Sequence, residues 1–276
     1  MDKQLVNKLQ KLLVEIYSGK KNFYKSKFLK AGIRKKDIED LNLEIFNKLP
    51  VTTVKELVNN PYDSRCLKEE QGLNKLVNIA SVNKYILIHK TLKEIKRNPI
   101  FLEGKRPMVI LQDLYESLEH CLYFYQQKRI PLIGEVTIPG ILYSTAVQYL
   151  VDSLIIDNAS KKLFYTELLK LKLPLKSVTI IDSNFEPEGL IWPKKISCNY
   201  FIYLPEFGIC MYLCKEALKK SYIFHAVNGV YIEPGKKTIL TNANLSACPM
   251  IRYESNLYLE AKGKCSCGKQ GLEIKN

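Results

Sequence analysis

Between residues 77 and 183, short β-prone runs alternate with longer helical stretches, and this alternation restricts the chain to few folds. "VNIAS" (77–81) and "YILIH" (85–89) are β-prone, and "DLYESLEHCLYFYQQK" (113–128) is helical. "IPLIGE" (130–135) is strand-like, "GILYSTAVQYLV" (140–151) helical and "SLIIDN" (153–158) a strand. "KKLFYTELLKLK" (161–172) is again a helix and "SVTIIDS" (177–183) a strand. Strands separated by helices predict parallel βαβ units with helices on the sheet faces. The pattern then changes. "CNYFIYLPEFGICMYLC" (198–214), "GVYIEP" (229–234), "KTILTN" (237–242) and "NLYLEA" (256–261) are closely spaced strands with turn residues between them, which predicts an antiparallel or mixed sheet.

The front of the chain is helical. Leu5, Leu9, Leu12, Leu13 and Ile16 recur every three or four residues and form one face of an amphipathic helix. "NFYKSKFLKAGI" (22–33) predicts a second helix, closed by Gly32 where a helix end wants a left-handed residue. In "DIEDLNLEIFNKLPVTTVKELVNN" (37–60), Pro50 breaks the pattern and Thr52 or Thr53 caps the next helix. Thr53 with Glu56 makes a capping box. The expected organisation is a helical segment over 1–76, an α/β core over 77–190 and a β-rich part over 191–276.

A chain of 276 residues, 46% hydrophobic, can bury a core as one large domain or two smaller ones. Its longest apolar runs, "VTII" (178–181) and "LVDSLII" (150–156), are far short of the roughly 20 residues that span a bilayer. The opening "MDKQLVNKLQKLLVEIY" has no apolar segment of signal-peptide type, so a cytoplasmic protein with no membrane partner is expected. Eight cysteines without a secretory signal are expected as reduced core residues or metal ligands. Cys66, Cys121, Cys198 and Cys248, each standing alone in the sequence, are read as buried thiols. The net charge of +14 is diffuse, with dense blocks only at "GIRKKD" (32–37) and "KEALKK" (215–220). A solvated lysine surface is expected, and a nucleic-acid partner is the minor alternative. His89 and His120 are read as packed or surface histidines, Trp192 with Pro193 as filling a core edge, and "CLYFYQQK" (121–128) as a helix face on the sheet.

Two stretches carry a resemblance. "GVYIEPGKKTILTNANLSACPMIRYESNLYLEAKGKCSCGK" (229–269) resembles the closing part of the large domain of adenylate-forming enzymes, in the phenylacetate–CoA ligase branch. "FYKSKFLKAGI" (23–33) and "DIEDLNLEIFNKLPVTTVKEL" (37–57) are similar to that branch's opening. "DSLIIDNASKKLFYTELL", "LKSVTIIDSNFEP" and "YFIYLPEFG" look like its central segments. The resemblance implies an α/β large domain of mixed and parallel sheets flanked by helices, with a small β-rich C-terminal section.

It also implies a chemistry in which a carboxylic acid and ATP give an acyl-adenylate that a thiol then captures, with ATP and Mg²⁺ as cofactors. A Ser/Thr/Gly-rich loop cradles the β- and γ-phosphates in that family. Ser81 matches its serine, but Val82, Asn83 and Lys84 stand where glycines and threonines belong. Glu206 of "YLPEFG" matches the family's Mg²⁺- and nucleotide-binding glutamate, with Tyr203 and Pro205 replacing the usual glycine and threonine. Arg252 and Tyr253 match the R-Y of the ribose-binding motif, but Asn256 and Leu257 follow, and leucine cannot accept a hydrogen bond. The family's small C-terminal domain, with its catalytic lysine, is expected to be absent after Asn276. These departures count against ATP and Mg²⁺ and imply a degenerate large domain with no catalytic residues, acting as a binding or partner module. A working ligase given its small domain by a partner protein is the alternative; the acid, the acyl or thiol acceptor and the oligomeric state stay open.

Some members of the branch carry a structural zinc, and the resemblance places a similar site here. Cys214, His225, Cys265 and Cys267 would form a closed tetrahedral set, with Cys210 as the alternative to Cys214.

Overall fold

The computed structural model describes residues 3–20, 22–100, 102–134, 139–170, 173–217 and 221–275. The chain divides into two compact units, Met1–Arg97 with Cys214–Asn276, and Asn98–Leu213.

The first unit opens with α1 (Lys3–Ser18), whose apolar stripe of Leu5, Leu9, Leu12, Leu13 and Ile16 is buried. The Asn22 side chain accepts the Lys25 N–H at 2.9 Å to start α2 (Phe23–Lys30), and Gly32 ends that segment at φ 78°. After α3 (Lys35–Glu39) and α4 (Leu43–Lys48), Thr53 caps α5 (Val54–Asn59). The Thr53 hydroxyl accepts the Glu56 N–H at 3.3 Å while Glu56 accepts the Thr53 N–H at 2.8 Å. Then come α6 (Tyr62–Arg65), β1 (Gly72–Ile79), β2 (Lys84–Thr91) and α7 (Leu92–Ile95).

The second unit runs β3 (Pro107–Ile110), α8 (Leu114–Gln126), β4 (Leu132–Ile133), α9 (Pro139–Gln148), β5 (Ser153–Ile156), α10 (Asn158–Lys170) and β6 (Ser177–Asp182). It closes with β7 (Ser197–Leu204) and β8 (Gly208–Leu213). Its strands lie in the order β4-β3-β5-β6-β7-β8, parallel except for β8. Every residue of β3 and β5 is buried, as a parallel sheet covered on both faces requires.

The chain then returns to the first unit with β9 (Phe224–Ala226), β10 (Val230–Glu233), β11 (Ile239–Asn242), β12 (Met250–Glu254), β13 (Tyr258–Lys264) and β14 (Gln270–Lys275). β10, β11 and β12 make an antiparallel sheet. β13 and β14 form a hairpin that joins β9 through the Leu272–Phe224 pair.

The alternation over 113–183 emerges as expected, with the parallel strands it predicts. "VNIAS" and "YILIH" do not join that pattern: β1 and β2 pair antiparallel from Gly72–Thr91 to Ile79–Lys84. Their connection is only Ala80, Ser81, Val82 and Asn83, whereas a parallel crossover takes about a dozen residues. Strand β3, next to the edge strand β4, was not anticipated, nor were β9 and β14. Glu135 of "IPLIGE", Leu171 and Lys172 of the 161–172 helix and Leu218–Lys220 of "KEALKK" lie outside the described residues.

All eight cysteines are reduced; Cys248 is buried as expected, while Cys66, Cys121 and Cys198 are half-buried. His89 and His120 are both buried. Trp192 is half-buried, its Nε1–H on the Gly189 carbonyl at 3.0 Å and its ring edge-on to Tyr165. Of the tyrosine-rich helix face, Tyr123 and Phe124 point inward and Tyr125 is exposed. Among the described residues, no helix is long and apolar enough to cross a membrane.

Candidate functional site

The tail of the first unit gathers three thiols and an imidazole. The Cys214 N–H donates to the Ile223 carbonyl at 2.8 Å, which ties it to the entry of β9, where His225 is the central residue. Cys265 and Cys267 lie in the turn between β13 and β14. Gly268 N–H closes that turn on the Cys265 carbonyl at 2.8 Å, and Gly268 takes φ 83°, a left-handed conformation that glycine adopts without strain.

The ligand atoms of Cys214, His225, Cys265 and Cys267 all lie within 4.8 Å of one another. The Cys214 and Cys265 sulfurs are 3.7 Å apart, and the Cys267 sulfur is 3.1 Å from His225 Nε2. A tetrahedron with zinc–sulfur bonds of ~2.3 Å has sulfur–sulfur edges of about 3.8 Å, so the spacing suits that ion. His225 Nδ1–H donates to the Gln270 carbonyl at 2.7 Å, which leaves the Nε2 lone pair facing the sulfurs. A backbone carbonyl holding the far nitrogen is the usual support of a metal-binding histidine.

Cys265 and Cys214 are shifted in opposite senses. The backbone N–H of Cys267, then Ser266 and the neighbouring thiols, bring Cys265 down to about 6 against the opposing effect of desolvation. Burial pushes Cys214 up. Cys210 is not in the cluster; it is fully buried in β8, with its Sγ–H on the Ile202 carbonyl at 3.4 Å.

The residues expected to face a nucleotide are distributed over both units. Ser81 is exposed at the tip of the β1–β2 hairpin, beside Asn83 at φ 49°. Glu206, in the second unit, is half-buried in the turn from β7 to β8, where the Phe207 N–H donates to the Leu204 carbonyl at 2.9 Å. Its charge joins burial, Glu116, Glu119 and Asp113 in raising the Tyr203 hydroxyl far above its ordinary value. Tyr253 is buried in β12 opposite Leu240.

Arg252 is also buried, and its donors are directed inward. Nε and Nη2 donate to the two Glu233 carboxylate oxygens at 3.0 and 2.8 Å, and Nη1 donates to the carbonyls of Asn47 and Leu49. The Arg252 backbone takes φ 44° beside the register shift between Leu240 and Asn242.

Two carboxylates escaped the sequence reading. Glu233 is the Arg252 partner, and nothing local marks it. Glu94 is buried with its Oε2 on the Thr91 N–H at 2.7 Å; its Oε1 accepts the Ala247 N–H at 2.8 Å, the Ser246 hydroxyl at 3.1 Å and the Ser246 N–H. The T-x-x-E spacing of Thr91 and Glu94 is a capping-box signal visible in the sequence; its reach to Ser246 is not.

No protein-family model and no curated protein matches the sequence. Solved structures do. The N-terminal domain of FACL13 from Mycobacterium tuberculosis is similar at a TM-score of 0.54 and 14% identity, covering 75% of this chain and 62% of that one. The o-succinylbenzoate CoA synthetase MenE from Bacillus subtilis, bound with a product analogue, is similar at 0.52 and 9%, covering 74% and 48%. The NpsA N-terminal subdomain from Klebsiella oxytoca, in complex with anthranilyl-AMSN, is similar at 0.50 and 9%, covering 72% and 62%. The chain thus spans half to three fifths of these proteins. At such identities the likeness establishes the fold: this is the mixed α/β architecture of adenylate-forming N-terminal domains.

Proposed function

We propose that this protein is a degenerate large domain of the phenylacetate–CoA ligase branch that does not adenylate acids and serves as a binding or partner module. The observation that carries this reading is the hairpin tip. Ile79 pairs directly with Lys84, so four residues without a glycine close the loop where the family sequence has a six-residue glycine-rich cradle. Backbone N–H groups wrap phosphates only where the chain is long and permissive enough to curve around them.

Two further features point the same way. Arg252 is spent on Glu233 and on main-chain carbonyls. Leu257, where the ribose-binding aspartate belongs, is buried and has no side-chain acceptor. Adenylyl transfer depends on positioned charge, and each loss removes part of it.

Zinc fits the donor set of Cys214, His225, Cys265 and Cys267. When bound, the ion would supply a structural link through these four residues, between β9 and the β13–β14 hairpin. The chain's own part is to orient His225 through Gln270 and to present Cys265 through the Cys267 N–H.

Incubation with ATP, Mg²⁺ and a panel of aryl and fatty acids, followed by pyrophosphate release, tests the proposal. No release above a protein-free blank is expected. Turnover on any acid overturns it in favour of a working ligase that takes a small domain from a partner protein.

A further inference from the structure

A pocket of about 250 Å³ opens in the second unit, at the end where its parallel strands begin. Pro107 starts β3, Leu132 starts β4 and Val151 stands just before β5; with Ile130 and Pro131 they form its apolar wall. Glu206 follows the far end of β7, which runs parallel with β6, β5 and β3. The pocket therefore lies at the opposite end of the strands from the expected nucleotide-binding glutamate.

The surrounding segment, 130–151, carries one charge in 22 residues, Glu135, although the chain as a whole is 25% charged. It leaves large apolar side chains in water, with Ile130 66% exposed, Tyr149 51% and Leu150 57%. The charged residue of the lining is Arg106, which is exposed at the rim. Its Nη1 donates to the Tyr149 carbonyl at 3.0 Å, and among the described residues its guanidinium makes no other hydrogen bond and no ion pair. The neighbouring carboxylate is engaged elsewhere: Asp152 accepts the N–H groups of Lys105 and Arg106 at 2.9 and 3.0 Å and the Ser153 hydroxyl at 3.2 Å. Nε and Nη2 of Arg106 are left for an anion.

The end of α9 shapes the same rim. Leu150 takes φ 49°, with its N–H on the Val147 carbonyl and the Val151 N–H on the Ala146 carbonyl, each at 3.1 Å. That is a helix-closing turn in which glycine is usual. A leucine held there is strained, and strain of this kind concentrates at ligand clamps. The turn and Arg106 also occupy the carbonyls of Ala146, Val147 and Tyr149, which would otherwise repel an anion at the end of a helix.

We propose that this pocket binds a compact apolar monocarboxylate of benzoate size, with its ring among Pro107, Ile130, Leu132 and Val151 and its carboxylate on Arg106. A cavity of ~150 Å³ lined by Leu, Ile and Phe takes up benzene, so 250 Å³ has room for one ring and a carboxyl group. Burial of the ring supplies the affinity, and the guanidinium, pinned through Nη1, selects the acid over its neutral relatives. The site goes beyond the reading of the hairpin tip and does not depend on it.

Titration of the full chain with benzoate in the absence of ATP, followed by ligand-observed NMR, tests the proposal. Saturable binding is expected with a dissociation constant on the order of 0.1–1 mM. Benzamide, the neutral isostere, is expected to bind at least about tenfold more weakly, and Arg106→Gln to weaken benzoate as much, while Arg106→Lys keeps part of the affinity. Photolabelling with 4-azidobenzoate and peptide mapping should mark 130–132 or 148–151, and excess benzoate should suppress the label. If Arg106→Gln does not fold, the benzamide comparison and the label on the parent decide. No saturable benzoate binding, benzamide bound as tightly as benzoate, or a label confined to peptides holding Ser81 or Glu206 overturns the proposal. Pyrophosphate release with an added acid would instead overturn the reading under the preceding heading and leave this site standing.

Discussion

Arg252 and Glu233 meet fork to fork from the two outer strands of the β10-β11-β12 sheet, Nε to Oε1 at 3.0 Å and Nη2 to Oε2 at 2.8 Å. Their side chains are 10% and 20% exposed, so little solvent screens the pair. The remaining guanidinium nitrogen holds the carbonyls of Asn47 and Leu49 at the end of α4, which makes Arg252 a joint between sheet and helix.

Removing one partner leaves the other buried and unpaired. Arg252→Met is expected to destabilise the protein by about 3–5 kcal/mol, and Glu233→Gln by about 1–3 kcal/mol because a neutral acceptor remains. Urea unfolding of the two variants and of the double variant gives the coupling. Additive losses would show that the pair is not the joint described.

Glu94 predicts a second stability effect, far from any expected ligand. Glu94→Ala orphans the N–H groups of Thr91 and Ala247 and the Ser246 hydroxyl. A loss of roughly 3 kcal/mol or more is expected, against about 1 kcal/mol for Thr91→Ala, which removes only the cap. Hydrogen exchange at Ala247 should speed up markedly in Glu94→Ala and little in Thr91→Ala.

The zinc site proposed for Cys214, His225, Cys265 and Cys267 predicts that the purified protein holds one zinc per chain. Cobalt substitution should give the intense absorption of a tetrahedral thiolate site, and Cys265→Ser with Cys267→Ser should abolish both signals. Chelation should lower the melting temperature of the parent and leave that double variant unmoved. A parent free of zinc, with cobalt giving no thiolate band, contradicts the assignment.

Alkaline pH should unfold the chain through its buried tyrosines. Burial raises Tyr17, Tyr24 and Tyr200 from 10.0 to about 12 each. The folded state favours their protonated form. Their stabilisation is therefore complete below pH 10 and is lost as the pH rises through about 12. A last fraction of tyrosinate absorbance should appear only as the circular dichroism of the fold disappears. Full tyrosinate absorbance with the fold intact would refute this. At neutral pH, Tyr24→Phe should cost about 1–2 kcal/mol, because the buried Ile251 N–H loses the acceptor it holds at 3.2 Å.

Much of the local structure is written in neighbouring residues. The stripe from Leu5 to Ile16 makes α1, Thr53 with Glu56 starts α5, the apolar runs of β5 and β6 fit a covered parallel sheet, and Gly268 closes the "CSCG" turn. Each follows from preferences that act over a few bonds: side-chain period, capping groups and a glycine where φ is positive. Such preferences do not choose partners across the chain. "VNIAS" and "YILIH" are strands in either direction, and only the short turn between them imposes antiparallel pairing. The sequence favours Cys214 as a ligand and leaves Cys210 as its alternative; the tie of Cys214 to Ile223 puts that residue beside His225, while Cys210 is directed at Ile202. Arg252 reads as a nucleotide contact until Glu233 and the end of α4 occupy it, and nothing near Leu67 in the sequence announces its bond to Ala247. The local pattern determined which elements form. The tertiary structure decided which side chains meet, because burial sets that choice by bringing together segments more than two hundred residues apart, such as Asn47 and Arg252.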